Sequence, residues 1–466
     1  MFSAIRLVPL IIATALLMEN IDSAVLSTSL PQIAHDLGTD PIHLKLVLTT
    51  YLLALAVFIP LSGWAADRFG ARLVFRLAIV VFAAGSVACG LSSSLFELVL
   101  ARALQGAGGS MMVPVGRLIL LRATPKAELV SAMAWLTVPA LLGPVLGPPL
   151  GGYITTYWDW RWIFWINIPI AVLGSILASI YIPDIREQDV RSFDSIGFLL
   201  LGPGLAGLMT GMTLMGLGLA PGWVVATCVF AGLGLTLLYV WHALRVEEPL
   251  VDLRLLKLPT FRINATAGTL FRIGTGALPF LLPLMLQLGF GLTAFQSGLL
   301  TLASGAGALT MKFAAQTLLR RFGFRRVLAA NAVISSLFVL APAFFTPHTP
   351  WLLMAIVLFV GGVSRSLQYT SMNVLAYADV PPQRLSNATS FSSVLQQLSG
   401  SVGITLAAML LEGTAWYTGG TATDIGNFKV VFCLVAVLSL VTAPMFTRLQ
   451  PGAGAALVPR NPDAND

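Results

Sequence analysis

Charge is what this sequence has least of. Only 10% of its 466 residues are Asp, Glu, Lys or Arg, against roughly 25% in ordinary soluble domains. The 20 acids and 27 bases could not cover a water-exposed body of this size, which excludes a soluble globular protein. Cysteine is nearly absent too. Cys89, Cys228 and Cys433 each stand alone in an apolar run, so neither a disulfide framework nor a cysteine-based metal site is expected. The four histidines, His35, His43, His242 and His348, fall near the ends of apolar runs or between them and form no metal or catalytic constellation. An integral-membrane enzyme is therefore not expected. Nor is a cleavable signal peptide, because the first apolar run is long, contains acids and lacks a small-residue cleavage site.

What the chain has in abundance is apolar surface: 57% of residues are hydrophobic and the mean hydropathy is +0.86. Its solvent is a lipid bilayer. The 43 glycines and 27 prolines follow no repeat and suit membrane helices, where neighbouring helices re-satisfy the backbone groups that kinks set free. In this setting the net charge of +7 points to sidedness rather than to a nucleic-acid partner.

A helix needs about 20 apolar residues to cross the hydrocarbon layer. Fourteen such runs are present, at 7–26, 45–65, 73–91, 96–116, 129–153, 162–181, 196–219, 223–243, 263–288, 295–311, 327–345, 351–377, 390–411 and 430–446. The expected class is an all-α integral membrane protein with both termini on one side. Of the 27 basic residues, all but six then lie on that side, which the positive-inside rule makes cytoplasmic. Lys45, Arg161 and Lys429 lie opposite, and Arg102, Arg272 and Arg365 fall inside spans. Trp158, Trp160, Trp162 and Trp165 cluster at the outer start of the sixth span, as an interfacial belt does.

The chain also repeats itself. Residues 68–74 (RFGARLV) recur as 321–327 (RFGFRRV), an offset of 253, and the same offset carries Gly108 and Gly109 onto Gly361 and Gly362. This divides the chain into a six-helix bundle over 1–182, two added helices with linkers over 183–262, a second six-helix bundle over 263–450, and a disordered cytoplasmic tail over 451–466. Such duplication is a signature of alternating-access transporters with a substrate site near mid-membrane.

Glu19 and Asp22 lie in the middle of the first span, three residues apart and so on one helix face. Ionisable groups at this depth are costly unless paired or facing water, which makes them functional candidates. Either they take up and release a proton, or they form fixed ion pairs with Arg102 or Arg272. Arg102 stands in a small-residue segment, RALQGAGG at 102–109. Its guanidinium does not lose its proton, so pairing with Asp22 is the favoured role. In the fifth span Gly143, Gly147 and Gly151 recur at spacing four, interleaved with Pro144 and Pro148 and followed by Gly152, which predicts a closely packed, kinked helix. Between the second and third spans lie Gly63, Asp67, Arg68, Gly70 and Arg72, either a charge cluster that gates the cytoplasmic face or a loop that anchors topology.

These segments resemble the major facilitator superfamily (MFS), in particular its 14-helix drug:proton antiporters of the EmrB/QacA type. The stretch 63–72 resembles the superfamily's loop motif, 102–109 its fourth-helix motif, and 143–152 the fifth-helix motif of its exporters. Ile21 to Val25 with Leu30 and Pro31 is similar to the first-helix pattern, although Ala24 stands where that pattern has Thr and Glu19 is not part of it. Trp160 to Phe164 with Asn167, Ile168 and Pro169 is similar to the sixth-helix signature. Through 102–117 and 274–283 the likeness is nearest to the MdtD-type multidrug carriers. The resemblance implies an MFS fold and a proton-coupled exporter of small molecules in a bacterial inner membrane. It would act as a monomer among lipids, driven by the proton gradient without a cofactor, metal or catalytic residue. Asp22, Glu19 and Arg102 would couple proton to substrate. Arg272 and Arg365 would be substrate contacts or ion-pair members, with Asn20, Gln105, Met111, Met112 and Phe271 around the cavity.

At the 253 offset Glu19 falls on Arg272, which leads to the expectation of an ion pair between the halves. Counting three Arg against two acids inside the membrane leaves room for anionic cargo, such as an anionic metabolite or a metal–carboxylate chelate. An uptake symporter is the third reading, and the Gly-Pro pattern of the fifth span argues against it.

Overall fold

The computed structural model describes residues 4–123, 129–183, 192–215, 219–381 and 384–454, without the side chains of 4–7, 121–123, 129–141 and 385–386. Among the described residues it is helical throughout its regular structure and contains thirteen helices long and apolar enough to cross a membrane. The expected fifth span coincides with a further 29-residue helix, Leu129–Tyr157. Its chain forms two compact units, Met1–Leu250 with Thr293–Gly298, and Val251–Leu292 with Leu299–Asp466.

The first unit runs α1 (Ala4–Asp36), α2 (Lys45–Phe58), α3 (Leu61–Phe69), α4 (Ala71–Leu91), α5 (Leu95–Ala123), α6 (Leu129–Tyr157), α7 (Trp162–Trp165), α8 (Asn167–Tyr181), α9 (Ser195–Leu214) and α10 (Gly222–Ala243). One expected span proves to be broken, where Pro60, with no amide hydrogen to donate, stands between α2 and α3; the expected span 162–181 is kept, α7 passing into α8 through Ile166, whose backbone is itself helical. Helix α1 packs against α6, α8 and α5, and α4 packs along α5. Their shared apolar core includes Ile12, Met18, Phe75, Phe82 and Met112. The added pair α9 and α10 pack on each other. Asp194 caps α9 by accepting from the Gly197 amide at 2.8 Å and meets His242 Nε2 of α10, also at 2.8 Å. The tryptophan cluster divides: Trp158 and Trp162 are exposed as a belt requires, whereas Trp160 is buried and donates to Asp36 at 3.0 Å.

In the second unit α11 (Pro259–Ile263), α12 (Thr269–Gly276) and α13 (Leu278–Leu284) form one long span with π-helical turns at Asn264–Gly268 and Met285–Gly289. Then follow α14 (Ala294–Phe322), α15 (Phe324–Leu340), α16 (Trp351–Leu375), α17 (Leu385–Thr418), α18 (Ile425–Leu440) and α19 (Thr442–Phe446). Here α12 packs on α17 and α18, and α15 on α16 and α18, around a core that includes Phe271, Leu328 and Met372. Ala453, at the start of the expected tail, rests on this core; residues 455–466 lie outside the described residues.

The repeat seen in sequence is a repeat in geometry. Gly70 precedes α4 with φ +95° and Gly323 precedes α15 with φ +75°, a backbone conformation that glycine adopts freely and L side chains rarely do. A side chain on Gly108 would strike α4 and one on Gly109 would meet α2, while Gly361 and Gly362 face α15 and α14 in the same way.

Candidate functional site

The first-span acids separate into two environments. Asp22 is 2% exposed and sits at the centre of a closed polar clasp drawn from α1, α2, α4, α5 and α8. Its Oδ2 accepts from Arg102 Nη1 at 2.6 Å, and its Oδ1 accepts from Gln105 Nε2 and Asn167 Nδ2, both at 2.8 Å. Gln105 and Asn167 also donate to Ser86 Oγ, at 2.7 and 3.2 Å. Arg102 bonds Gln105 Oε1 at 2.5 Å and the Val47 carbonyl at 3.4 Å, and its guanidinium lies 4.1 Å from the centre of the Tyr51 ring. Each charge in this clasp has hydrogen bonds and an opposite charge, the condition under which an ion pair survives burial. Glu19, one helical turn away, is half-buried, and its Oε2 is shielded from solvent with no hydrogen-bond partner. Its neighbour Asn20 donates to the Leu16 carbonyl at 2.7 Å.

Helix α6 is pressed onto this face of α1. A β-carbon on Gly143 would collide with Asn20, on Gly147 with Ala24 and on Gly151 with Val25, so the spacing of four is the footprint of one close helix contact. Thr28 reaches the Pro148 carbonyl at 3.3 Å and Ser29 bonds Thr155 at 2.6 Å, extending the seam. The helix continues through Pro144 and Pro148. Gly152 points the other way, against Ala294 and Phe295.

Among the expected gate residues, Gly63 and Arg68 are exposed, Asp67 is half-buried on α3, Gly70 makes the turn, and Arg72 donates to the Ile182 carbonyl at 3.4 Å. Met112 and Phe271, expected beside the cavity, are fully buried members of the two cores; Met111 is only partly buried.

The second unit carries cations in neutral surroundings. Arg272, 7% exposed, donates from Nη2 to Asn373 Oδ1 at 2.9 Å and lies 5.9 Å from the Tyr369 ring centre. Arg365 Nη2 donates to Ser304 Oγ at 2.5 Å, and Lys312 Nζ to Thr370 Oγ1 at 2.8 Å. Thr275 shares a 2.7 Å hydrogen bond with the Tyr369 hydroxyl.

The Major Facilitator Superfamily model matches residues 12–196 and 265–463. The chain belongs to the major facilitator superfamily. It is thus a multi-pass membrane transporter for small molecules, from a family of transporters rather than enzymes. Relatives that bear the provisional name multidrug resistance protein MdtD include one from Klebsiella pneumoniae subsp. pneumoniae, 38% identical over 458 residues and covering 97% of this chain and 96% of its own. One from Salmonella paratyphi A is 40% identical, covering 94% of each chain. Among solved structures, the D-xylose-proton symporter matches with a TM-score of 0.69 at 14% identity, covering 96% of this chain and 98% of its own. The human organic anion transporter MFSD10 matches at 0.62 and 15%, covering 96% and 100%. At these identities the two structures speak for the MFS fold alone.

Within this MFS chain, sequence reasoning paired Asp22 with Arg102, but it set Gln105 beside the cavity rather than in their clasp and missed Ser86, Tyr51 and Asn167. Asn167 stood in view inside the sixth-helix signature, and a lone buried amide in an apolar run was the signal. Lys312, read as a cytoplasmic topology charge, stands on α14, which runs on to Phe322, and bonds to Thr370 of α16.

Proposed function

We propose that this protein exports small molecules across the bacterial cytoplasmic membrane in exchange for protons, as a monomer with both termini inside, by alternating access and without a cofactor. The observation that carries the reading is the contrast between the two acids of α1. Protonating Asp22 removes the charge that Arg102, Gln105 and Asn167 are bonded to, and so loosens the joint between α1, α5 and α8. Glu19 Oε2 can receive a proton, or a donor group on cargo, without breaking an existing bond. A site that must give up its proton to accept cargo, and its cargo to accept a proton, couples the two flows. Arg102 fixes Asp22 in place, the α6 glycine seam keeps α1 close enough for a change at Asp22 to be felt along the helix, and Gly63, Asp67, Arg68, Gly70 and Arg72 gate the inner face.

The test is transport by purified protein in liposomes under an imposed pH gradient, with ethidium, tetraphenylphosphonium and benzoate as probes. Movement of a probe should follow the gradient and disappear in Asp22→Asn. Transport that persists undiminished after the gradient is collapsed would refute proton coupling.

A further inference from the structure

Arg272, Arg365 and Lys312 stand on span-forming helices of the second unit, and among the described residues no carboxylate of that unit is bonded to them. Arg272, Arg365 and Lys312 meet only neutral oxygens, on Asn373, Ser304 and Thr370. Three of the unit's acids are engaged elsewhere: Asp252 with Arg384, Asp379 with Thr260, and Asp424 with Thr421. Cations placed in a span without compensation are costly and mark a pathway or a binding site.

The three also converge. Arg272 reaches α16 at Asn373, Lys312 reaches it at Thr370, and Arg365 belongs to α16 itself. At a rise of about 1.5 Å per residue, positions 365 to 373 span roughly 12 Å along that helix. Tyr369 lies between them, its hydroxyl on Thr275 and its ring edge-on to Phe271. Arg272 lies one helical turn beyond the π-helical turn at Asn264–Gly268, a backbone irregularity common at functional sites. A side chain at Gly268 would crowd the Arg272 guanidinium.

We propose that Arg272, Arg365 and Lys312 form an oxyanion-binding subsite on the α16 face of the second unit, with Tyr369, Thr370 and Asn373 as neutral hydrogen-bonding partners. Its ligand carries at least one carboxylate or an equivalent oxyanion, gripped by the guanidinium forks that suit such groups. This deepens the transport reading, on which it rests, by assigning charge to part of the cargo. The same chemistry belongs to a soluble organic anion and to an anionic lipid headgroup.

Equilibrium binding to the full chain in nanodiscs, with no proton gradient, separates this proposal from proton coupling. In zwitterionic discs, benzoate, phthalate and trimesate should bind with affinity rising with carboxylate number and falling with salt, whereas tetraphenylphosphonium should not. Arg272→Gln and Arg365→Gln should each weaken trimesate about tenfold or more, with partial rescue by Lys. Lys312→Gln, at an exposed position, should weaken it less while leaving the fold intact. If discs containing phosphatidylglycerol abolish trimesate binding at equal salt, the subsite stands and a headgroup is its occupant. Trimesate binding no tighter than benzoate and unchanged by all three substitutions, or no binding of either together with no preference for phosphatidylglycerol, overturns it. Anion binding that obeys these rules in a protein showing no gradient-driven transport would sink the coupling reading and leave the subsite.

Discussion

The two units began as one design and now treat charge in opposite ways. At the 253 offset Glu19 and Asp22 of the first unit correspond to Arg272 and Thr275 of the second. In the first, an acid and an arginine lock together and draw in Gln105, Asn167 and Ser86. In the second, arginines and a lysine rest on neutral acceptors, and Thr275 bonds to a phenol and a backbone carbonyl. The glycines that shape helix contacts kept their places in both, as Gly70 with Gly323 and Gly109 with Gly362. Packing was retained while the electrostatics diverged, and on that contrast rests the proposal that one half handles protons and the other meets cargo.

That comparison can be broken most forcefully at the clasp. Arg102→Ala leaves the Asp22 carboxylate buried without its counter-charge and should cost about 3–5 kcal/mol, seen as a large fall in the detergent melting temperature. Arg272→Gln replaces a cation that, among the described residues of its unit, rests on the neutral Asn373 and not on an acid, so its melting temperature should match or exceed that of the parent. Equal losses in the two would erase the distinction between the halves.

A smaller effect is expected at the seam. Gly147→Val forces a branched side chain against Ala24, and overpacking of this kind costs about 1–3 kcal/mol. The variant should melt earlier and transport poorly, whereas Gly63→Ala, with open space around its α-carbon, should be indistinguishable from the parent in stability. Asn167→Ala removes one of the three donors on Asp22 and should cost about 1 kcal/mol. Its effect should vanish in an Asp22→Asn background if the two act through one bond, and a double-mutant cycle reads this directly. The smallest change is Lys312→Gln, whose stability shift should stay within about 0.5 kcal/mol.

Much of this was legible in the sequence, because a membrane makes charge scarce and therefore conspicuous. Asp22 and Arg102 could be paired on the page, since each would be costly alone, and the Gly143, Gly147, Gly151 spacing named a helix contact before its partner was known. Neutral polar residues were harder to read: Ser86 and Asn167 pay a small enough penalty in lipid to look like ordinary passengers of their spans. Span 295–311 was ended at the first charge, Lys312, whereas α14 continues to Phe322. Met112 and Phe271 looked like cavity residues by type, and only packing shows them to be core.

The central claim is that cargo and proton compete at the carboxylates of α1. It is tested most directly by adding the transported probe to purified, weakly buffered protein and following proton release with a pH-sensitive dye. The account requires release on binding in the parent protein and its loss in Asp22→Asn and Glu19→Gln. Release of equal size in both acid substitutions would place the exchanged proton elsewhere and contradict the account.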